Sequence, residues 1–175
     1  MRRKITLAIL ILVCFLLQTT VFRSLEMGQV APNLLIILTI SFGFMQGKKE
    51  GLMVGFFSGL LIDLFYGDVL GFYAMLYMYI GYLSGFFCKI FFDEDIKVPI
   101  VMVAAGDFIL NFAIFVLKFL FRGRVDLYSY LKMIILPEIV YTVLLSVLLY
   151  RIFYSINKRL VAGEMRGTSA LWLRN

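Results

Sequence analysis

Three acidic residues lie inside otherwise apolar stretches of the sequence, and they are the groups best suited to chemistry. They are Asp63, Asp107 and Glu138, and their possible basic partners include Lys118 and Arg122. Ionisable groups in such stretches are costly and usually face protein or water, so they mark candidate sites for a ligand, a partner or a proton. Because sequence spacing does not give their separation in space, paired-carboxylate chemistry stays open.

The usual signatures of an enzyme are missing from the sequence. Histidine is absent, which excludes Ser–His or Cys–His nucleophiles and histidine metal sites. No Gly-x-x-x-x-Gly-Lys phosphate loop occurs. Cys14 and Cys88 lie in apolar runs, which favours core residues over a disulfide. We therefore expect no catalytic residues, no metal and no cofactor.

Asp63 lies at the end of a glycine-rich segment, four residues after Gly59 and shortly before Gly67 and Gly71. The two later glycines indicate a sharp turn into the next helix. Asp63 can then accept hydrogen bonds from backbone N–H groups at the start of that helix, where the helix dipole favours an anion. Such a lock would close a short hairpin. A ligand, partner or proton role is the alternative.

Pro137 and Glu138 form a second candidate feature near the start of the last apolar segment. A proline in the first turn followed by an acid is typical of a capped helix start. An acid exposed in an outward-facing cavity is the alternative, and the Asp107–Asn111 pair could join it. We predict one polar functional region at the outer end of the molecule, formed by Asp63, Gly67, Gly71, Pro137 and Glu138.

Two sets of glycines recur every four residues. Gly51, Gly55 and Gly59 form the first set, and Gly81 and Gly85, with Ser84, form the second. On a helix this spacing produces a smooth stripe that allows close helix–helix approach in lipid. Packing within the molecule is favoured over a face for a partner protein, because small residues at interfaces are the ordinary mechanism of membrane packing.

The composition indicates that these residues are positioned by membrane helices. The chain is 62% hydrophobic and 16% charged, with a mean hydropathy of +0.96. Soluble domains carry about 45–50% apolar and about 25% charged residues. The net charge of +6 is spread over short clusters between apolar runs, so a nucleic-acid partner is not expected. Bilayer lipid is the expected solvent.

Six apolar segments predict an all-α fold, a six-helix transmembrane bundle. Their approximate ranges are 5–22, 30–45, 51–65, 69–92, 98–121 and 131–153. The first is interpreted as a retained helix rather than a cleaved signal peptide. The second and third are short, and two compact spans are favoured over a re-entrant hairpin because the charged turn between them suits a water interface. Residues 1–160 form one domain, and 161–175 a short, disordered cytoplasmic tail.

The distribution of basic residues predicts a multi-pass protein of the bacterial cytoplasmic membrane with both termini cytoplasmic. This orientation places most of the 17 Lys and Arg residues inside. The exceptions are Arg23, Lys118, Arg122, Arg124 and Lys132. The basic stretch 118–132 is either an outer contact surface or a basic loop that stays outside because more Lys and Arg residues lie on the cytoplasmic side.

The order of these features resembles a known family over roughly residues 1–155. Ala31-Pro32-Asn33 opens the second segment, a charged turn leads into the glycine-rich third segment ending in Asp63-x3-Gly67-x3-Gly71, and Pro137-Glu138 follows late. This pattern resembles the rod shape-determining MreD family of bacteria. The resemblance implies a non-catalytic scaffold of the elongasome that works mainly with MreC, beside RodA and its penicillin-binding transpeptidase and indirectly with MreB, to direct side-wall peptidoglycan synthesis.

The same resemblance implies a fold similar to the substrate-binding subunits of energy-coupling-factor transporters. A small-molecule (vitamin) binding subunit of such a transporter is therefore the alternative function. Its docking motif, Ala-x3-Ala on the first helix, is missing here, because Ala8 is followed by Leu12. A proton- or ion-coupled channel would rest on the three acids alone.

Overall fold

The computed structural model describes residues 2–22, 31–67, 70–88, 97–122 and 130–172, and all regular structure within them is helical. The helices are α1 (Arg2–Leu16), α2 (Leu34–Gln46), α3 (Lys48–Tyr66), α4 (Phe72–Phe87), α5 (Lys97–Arg122) and α6 (Leu136–Trp172). Short π-helical segments extend α1 over Leu17–Phe22 and precede α6 over Leu131–Ile135. The prediction of an all-α membrane bundle is confirmed.

Three helical stretches are long and apolar enough to cross a bilayer, namely Arg3–Phe22, Lys97–Leu117 and Leu131–Ala162. Helices α2 and α4 are apolar but shorter, with 13 and 16 residues. At 1.5 Å per residue, α2 is only about 20 Å long, whereas a bilayer core is about 30 Å thick. At least one end of α2 must therefore lie at membrane depth, shielded by protein.

Some helix bounds differ from those expected from hydropathy. The fourth helix begins at Phe72 and ends at Phe87, while residues 69 and 89–92 of the expected span lie outside the described residues. The last helix continues to Trp172, so the described part of the expected disordered tail is helical instead. Most of the basic stretch 118–132 also lies outside the part of the chain whose side chains are described.

Helix α2 forms the centre of the bundle. Every residue from Leu34 to Phe44 is buried, and α2 packs against α1, α3, α4, α5 and α6. A helix that is hydrophobic on all sides belongs either in lipid or in a core. Here the neighbouring helices surround it, and they present their own outer faces to the membrane.

Helices α3 and α4 form the closest pair in the bundle. A Cβ atom built at Gly51, Gly55 or Gly59 would meet the α4 backbone at less than the 3.0 Å that real Cβ atoms keep. A Cβ at Gly81 would meet the Gly51 carbonyl, and one at Gly85 would meet Lys48. The glycine stripes of the two helices thus face each other, and the contact is between backbones.

The bundle has two chemically different ends. At one end, which we call the basic end, Arg3 forms a 2.9 Å ion pair with Glu50 and donates to the Gln46 side chain. Gln46 in turn donates to Asn157 on α6. Lys48, Lys49, Lys158 and Arg159 lie beside these residues in the chain. The opposite end holds Asp63, the α3–α4 turn and the start of α6.

Candidate functional site

The carboxylate of Asp63 caps helix α4. Its oxygens accept hydrogen bonds from the backbone N–H groups of Gly71 (3.1 Å), Tyr73 (2.9 Å) and Ala74 (2.8 Å). The last two are among the N–H groups that a helix start leaves without a partner. Asp63 is only 3% exposed, so the cap lies inside the protein. This arrangement is the hairpin lock considered from the sequence.

Two glycines allow Asp63 to reach the start of α4. Gly71 is the residue before the helix, and its φ of 94° lies in the left-handed region that favours glycine. Gly67 ends α3 by donating its N–H to the Asp63 carbonyl. A Cβ at Gly67 would lie 2.7 Å from that carbonyl oxygen. The spacing Asp63-x3-Gly67-x3-Gly71 therefore specifies a compact turn closed by one carboxylate.

A second polar group caps the start of the short central helix α2. The Asn33 side-chain oxygen accepts from Ile36 N–H (3.2 Å) and from the Tyr77 hydroxyl (2.7 Å). The Asn33 N–H donates to the Thr142 hydroxyl, and Leu35 N–H donates to the Gln18 side chain. Side chains from three other helical elements thus supply the partners that water supplies at an exposed helix end.

Asp107 lies beside this second group. Thr142 and Asn33 are next to its carboxyl group, and Tyr77 is also near. Its exposed fraction is 0%, and neither of its oxygens has a hydrogen-bond partner of acceptable geometry among the described residues. The nearby Asn111 side chain donates to the Asp107 backbone carbonyl, not to the carboxyl group. Asp107 is therefore a deeply buried acid with polar side chains beside its carboxyl group, but without a well-formed hydrogen bond to a described residue.

Pro137 and Glu138 are half-buried in the first turn of α6. Helical backbone also precedes them, because a π-helical turn over Leu131–Ile135 leads directly into α6. Glu138 lies near the Tyr77 and Tyr130 phenols. It also precedes Thr142 by four residues, about one helical turn. Glu138 is therefore at the same end of the bundle as the Asp63 cap.

We call the six residues at this end the polar layer: Asn33, Asp63, Tyr77, Asp107, Glu138 and Thr142. Helix α4 connects its two parts, because Tyr73, which donates to Asp63, lies one turn before Tyr77. The sequence identified the three acids and the turn glycines. It did not indicate the Asn33–Tyr77–Thr142 contacts, although Pro32-Asn33 at the start of an apolar segment was a usable signal for a buried cap.

The chemistry open to the polar layer is binding and structural support. Among the described residues, no three Cys, Asp or Glu side chains come close enough together to hold a metal ion. The hydrogen bonds at Asp63 and Asn33 are made to backbone N–H groups of the protein itself, which is the chemistry of helix capping. Asp107 is the acid of the layer whose carboxyl oxygens have no hydrogen-bond partner of acceptable geometry among the described residues.

Comparison with known proteins assigns the chain to a family. No curated protein and no solved structure matches the chain. The sequence pattern of one family does match, and the match covers residues 1–160, which include α1 to α5 and most of α6. That family is described as rod shape-determining protein MreD. The chain therefore belongs to the MreD family.

Proposed function

We propose that this protein is a non-catalytic membrane scaffold of the bacterial elongasome that works with MreC to maintain rod shape and direct side-wall peptidoglycan synthesis. Family membership over residues 1–160 carries the proposal, because it gives the chain a role in rod shape determination. The MreD family is structural and is not known to be catalytic. The partnership with MreC and the link to wall synthesis go beyond family membership, and they are what the experiments below test.

The buried polar layer supports a scaffold over a transporter subunit. A vitamin-binding subunit needs a cavity that its polar groups face. Here Asn33, Tyr77 and Thr142 are 5%, 0% and 0% exposed and bond to one another or to backbone. Their polar groups thus form hydrogen bonds that link α2, α4 and α6. A rigid bundle of this kind suits a protein that presents fixed surfaces to partners.

The two ends of the bundle support a cytoplasmic position for both termini. The N-terminal Arg3 and the late Asn157 are linked through Gln46 at the basic end, and basic residues favour the cytoplasmic side. An alkaline phosphatase fused after Arg174 should then be inactive. Activity of that fusion would reverse the proposed orientation.

Recovery of MreC tests the proposed partnership. MreC should copurify with the wild-type protein from detergent-solubilised membranes. Glu138→Gln should leave the bundle folded but weaken this recovery, if the outer polar region contacts MreC. Phe57→Leu, a change on the lipid-facing side of α3, serves as the control and should copurify normally. Failure of the wild-type protein to recover MreC would contradict the proposed partnership.

A further inference from the structure

A groove runs along the outward face of α6, on the half nearer the basic end. It is open to the surroundings, and all of its described lining residues belong to α6. Five of its lining residues are apolar, namely Leu144, Val147, Leu148, Ile152 and Ile156. The other three are polar, namely Arg151, Ser155 and Arg159. The groove lies on a helix that the wild-type bundle leaves uncovered on this side, since Leu144 and Leu148 are 65% and 63% exposed.

The polarity of the groove changes along the helix axis. Leu144, Val147 and Leu148 line the part nearer the middle of the bundle, and Arg159 lies at the basic end. A phospholipid in the leaflet at that end has the same order, with its acyl chains toward the bilayer centre and its phosphate toward water. The groove therefore matches an amphiphile in its natural orientation.

Arg151 lies farther from the basic end along α6 than Lys158 and Arg159 do. Asn157 accepts from Gln46 and so marks the depth of the basic end on α6. Arg151 precedes it by six residues, which places it about 9 Å along the α6 axis toward the middle of the bundle. Its side chain is exposed. A guanidinium facing lipid at this depth must reach the interface or meet an anion.

No such anion comes from the described part of the chain. Neither Arg151 nor Arg159 forms an ion pair or hydrogen bond with a described residue, whereas Arg3 at the same end is paired with Glu50. Arg151 and Arg159 are eight residues apart, about 12 Å along the axis. Ser155 lies midway between them on the same side of the helix. Two cationic side chains and a hydroxyl thus lie along one face of α6.

We propose that this groove binds an anionic phospholipid. Its phosphate lies between Arg151, Ser155 and Arg159, where guanidinium groups can form paired hydrogen bonds to phosphate oxygens. One acyl chain lies over Leu144 and Leu148. The anionic headgroup supplies the counter-charge that the described residues do not provide for Arg151 and Arg159, and the acyl chains cover the apolar part of the groove. The inference is independent of the proposed scaffold function.

Lipid retention in native mass spectrometry tests the site. The full-length protein is released from nanodiscs containing phosphatidylcholine and phosphatidylglycerol, and the retained lipids are counted. The wild-type protein should retain phosphatidylglycerol in preference to phosphatidylcholine. The double variant Arg151→Gln with Arg159→Gln should retain about tenfold less, because hydrogen bonds to charged groups contribute that much affinity or more.

Two control variants separate a built site from general charge attraction. Lys49→Gln with Lys158→Gln removes the same charge at the same end but changes no lining residue of the groove, so retention should be unchanged. Leu148→Trp fills the apolar half without changing charge and should also reduce retention. Circular dichroism of each variant should show wild-type helix content.

Three results would overturn the proposal. Equal losses of retained phosphatidylglycerol in the arginine and lysine double variants would show that nonspecific charge attraction holds the lipid. Undiminished phosphatidylglycerol retention in the arginine variant would show that these side chains do not hold the lipid. Undiminished lipid retention together with loss of a copurifying membrane protein would assign the α6 face to a partner helix.

Discussion

Asp63 and Asp107 represent two opposite outcomes for a buried carboxylate. Both are nearly inaccessible, at 3% and 0% exposed. Asp63 accepts three backbone hydrogen bonds, while neither Asp107 oxygen has a partner of acceptable geometry among the described residues. A buried charge is tolerable when hydrogen bonds satisfy it and costly when they do not. The same substitution should therefore have opposite effects at the two positions.

At Asp63 we predict a loss of stability that depends on the remaining acceptor. Asp63→Ala removes all three hydrogen bonds and should lower the free energy of unfolding by about 3 kcal/mol. Asp63→Asn keeps one carbonyl oxygen and should lose only about 1 kcal/mol. Thermal unfolding in detergent micelles measures both. Wild-type stability of Asp63→Ala would show that the cap does not hold the α3–α4 turn.

At Asp107 we predict the opposite sign. Asp107→Asn replaces a buried ionisable carboxyl group, which has no hydrogen-bond partner of acceptable geometry among the described residues, with a neutral amide. It should raise the free energy of unfolding by about 1 kcal/mol, measured in the same micelles. A clear decrease would mean that the carboxylate is better satisfied than the structure indicates. If the stabilised variant no longer supports rod shape in cells, then Asp107 is retained for function at the expense of stability.

At the scale of helices, glycine decides how α3 and α4 pair. Gly55→Leu would place a side chain where the Tyr77 backbone lies, so the helices must separate and lose their contacts. We expect a severe drop in folded protein, measured as the monodisperse fraction in size-exclusion chromatography. Phe57→Leu introduces the same residue two positions away on an exposed face and should be tolerated. Equal yields of the two variants would contradict tight packing at Gly55.

The sequence predicted the helices themselves and a close helix–helix contact at the glycine stripes. Lipid requires helical segments, and small residues allow helices to approach closely. It did not predict that α2 is central. A uniformly apolar segment such as Leu34–Phe44 has the same composition whether lipid or protein surrounds it. Its shortness was the available clue, since a helix of about 20 Å must have a protected end. Asn33 provides that protection.

For the whole molecule, the basic clusters and the three acids of the polar layer were recognised from the sequence, but their connections were not. The Gln46–Asn157 contact joins residues far apart in the chain, as does the Asn33–Thr142 contact. The hydrophobic periodicity of the sequence does not predict such pairs, because they depend on how the helices are arranged around α2. The helical backbone up to Trp172 was also missed, since its polar composition is typical of a flexible tail.

Cell shape after depletion tests the central claim most directly. Cells of the source bacterium that lose this protein should change from rods to spheres, while their vitamin uptake stays normal. Expression of the wild-type protein should restore rods, and Gly55→Leu should not. Depleted cells that remain rod-shaped but fail to take up a vitamin would contradict the scaffold function and favour the transporter subunit.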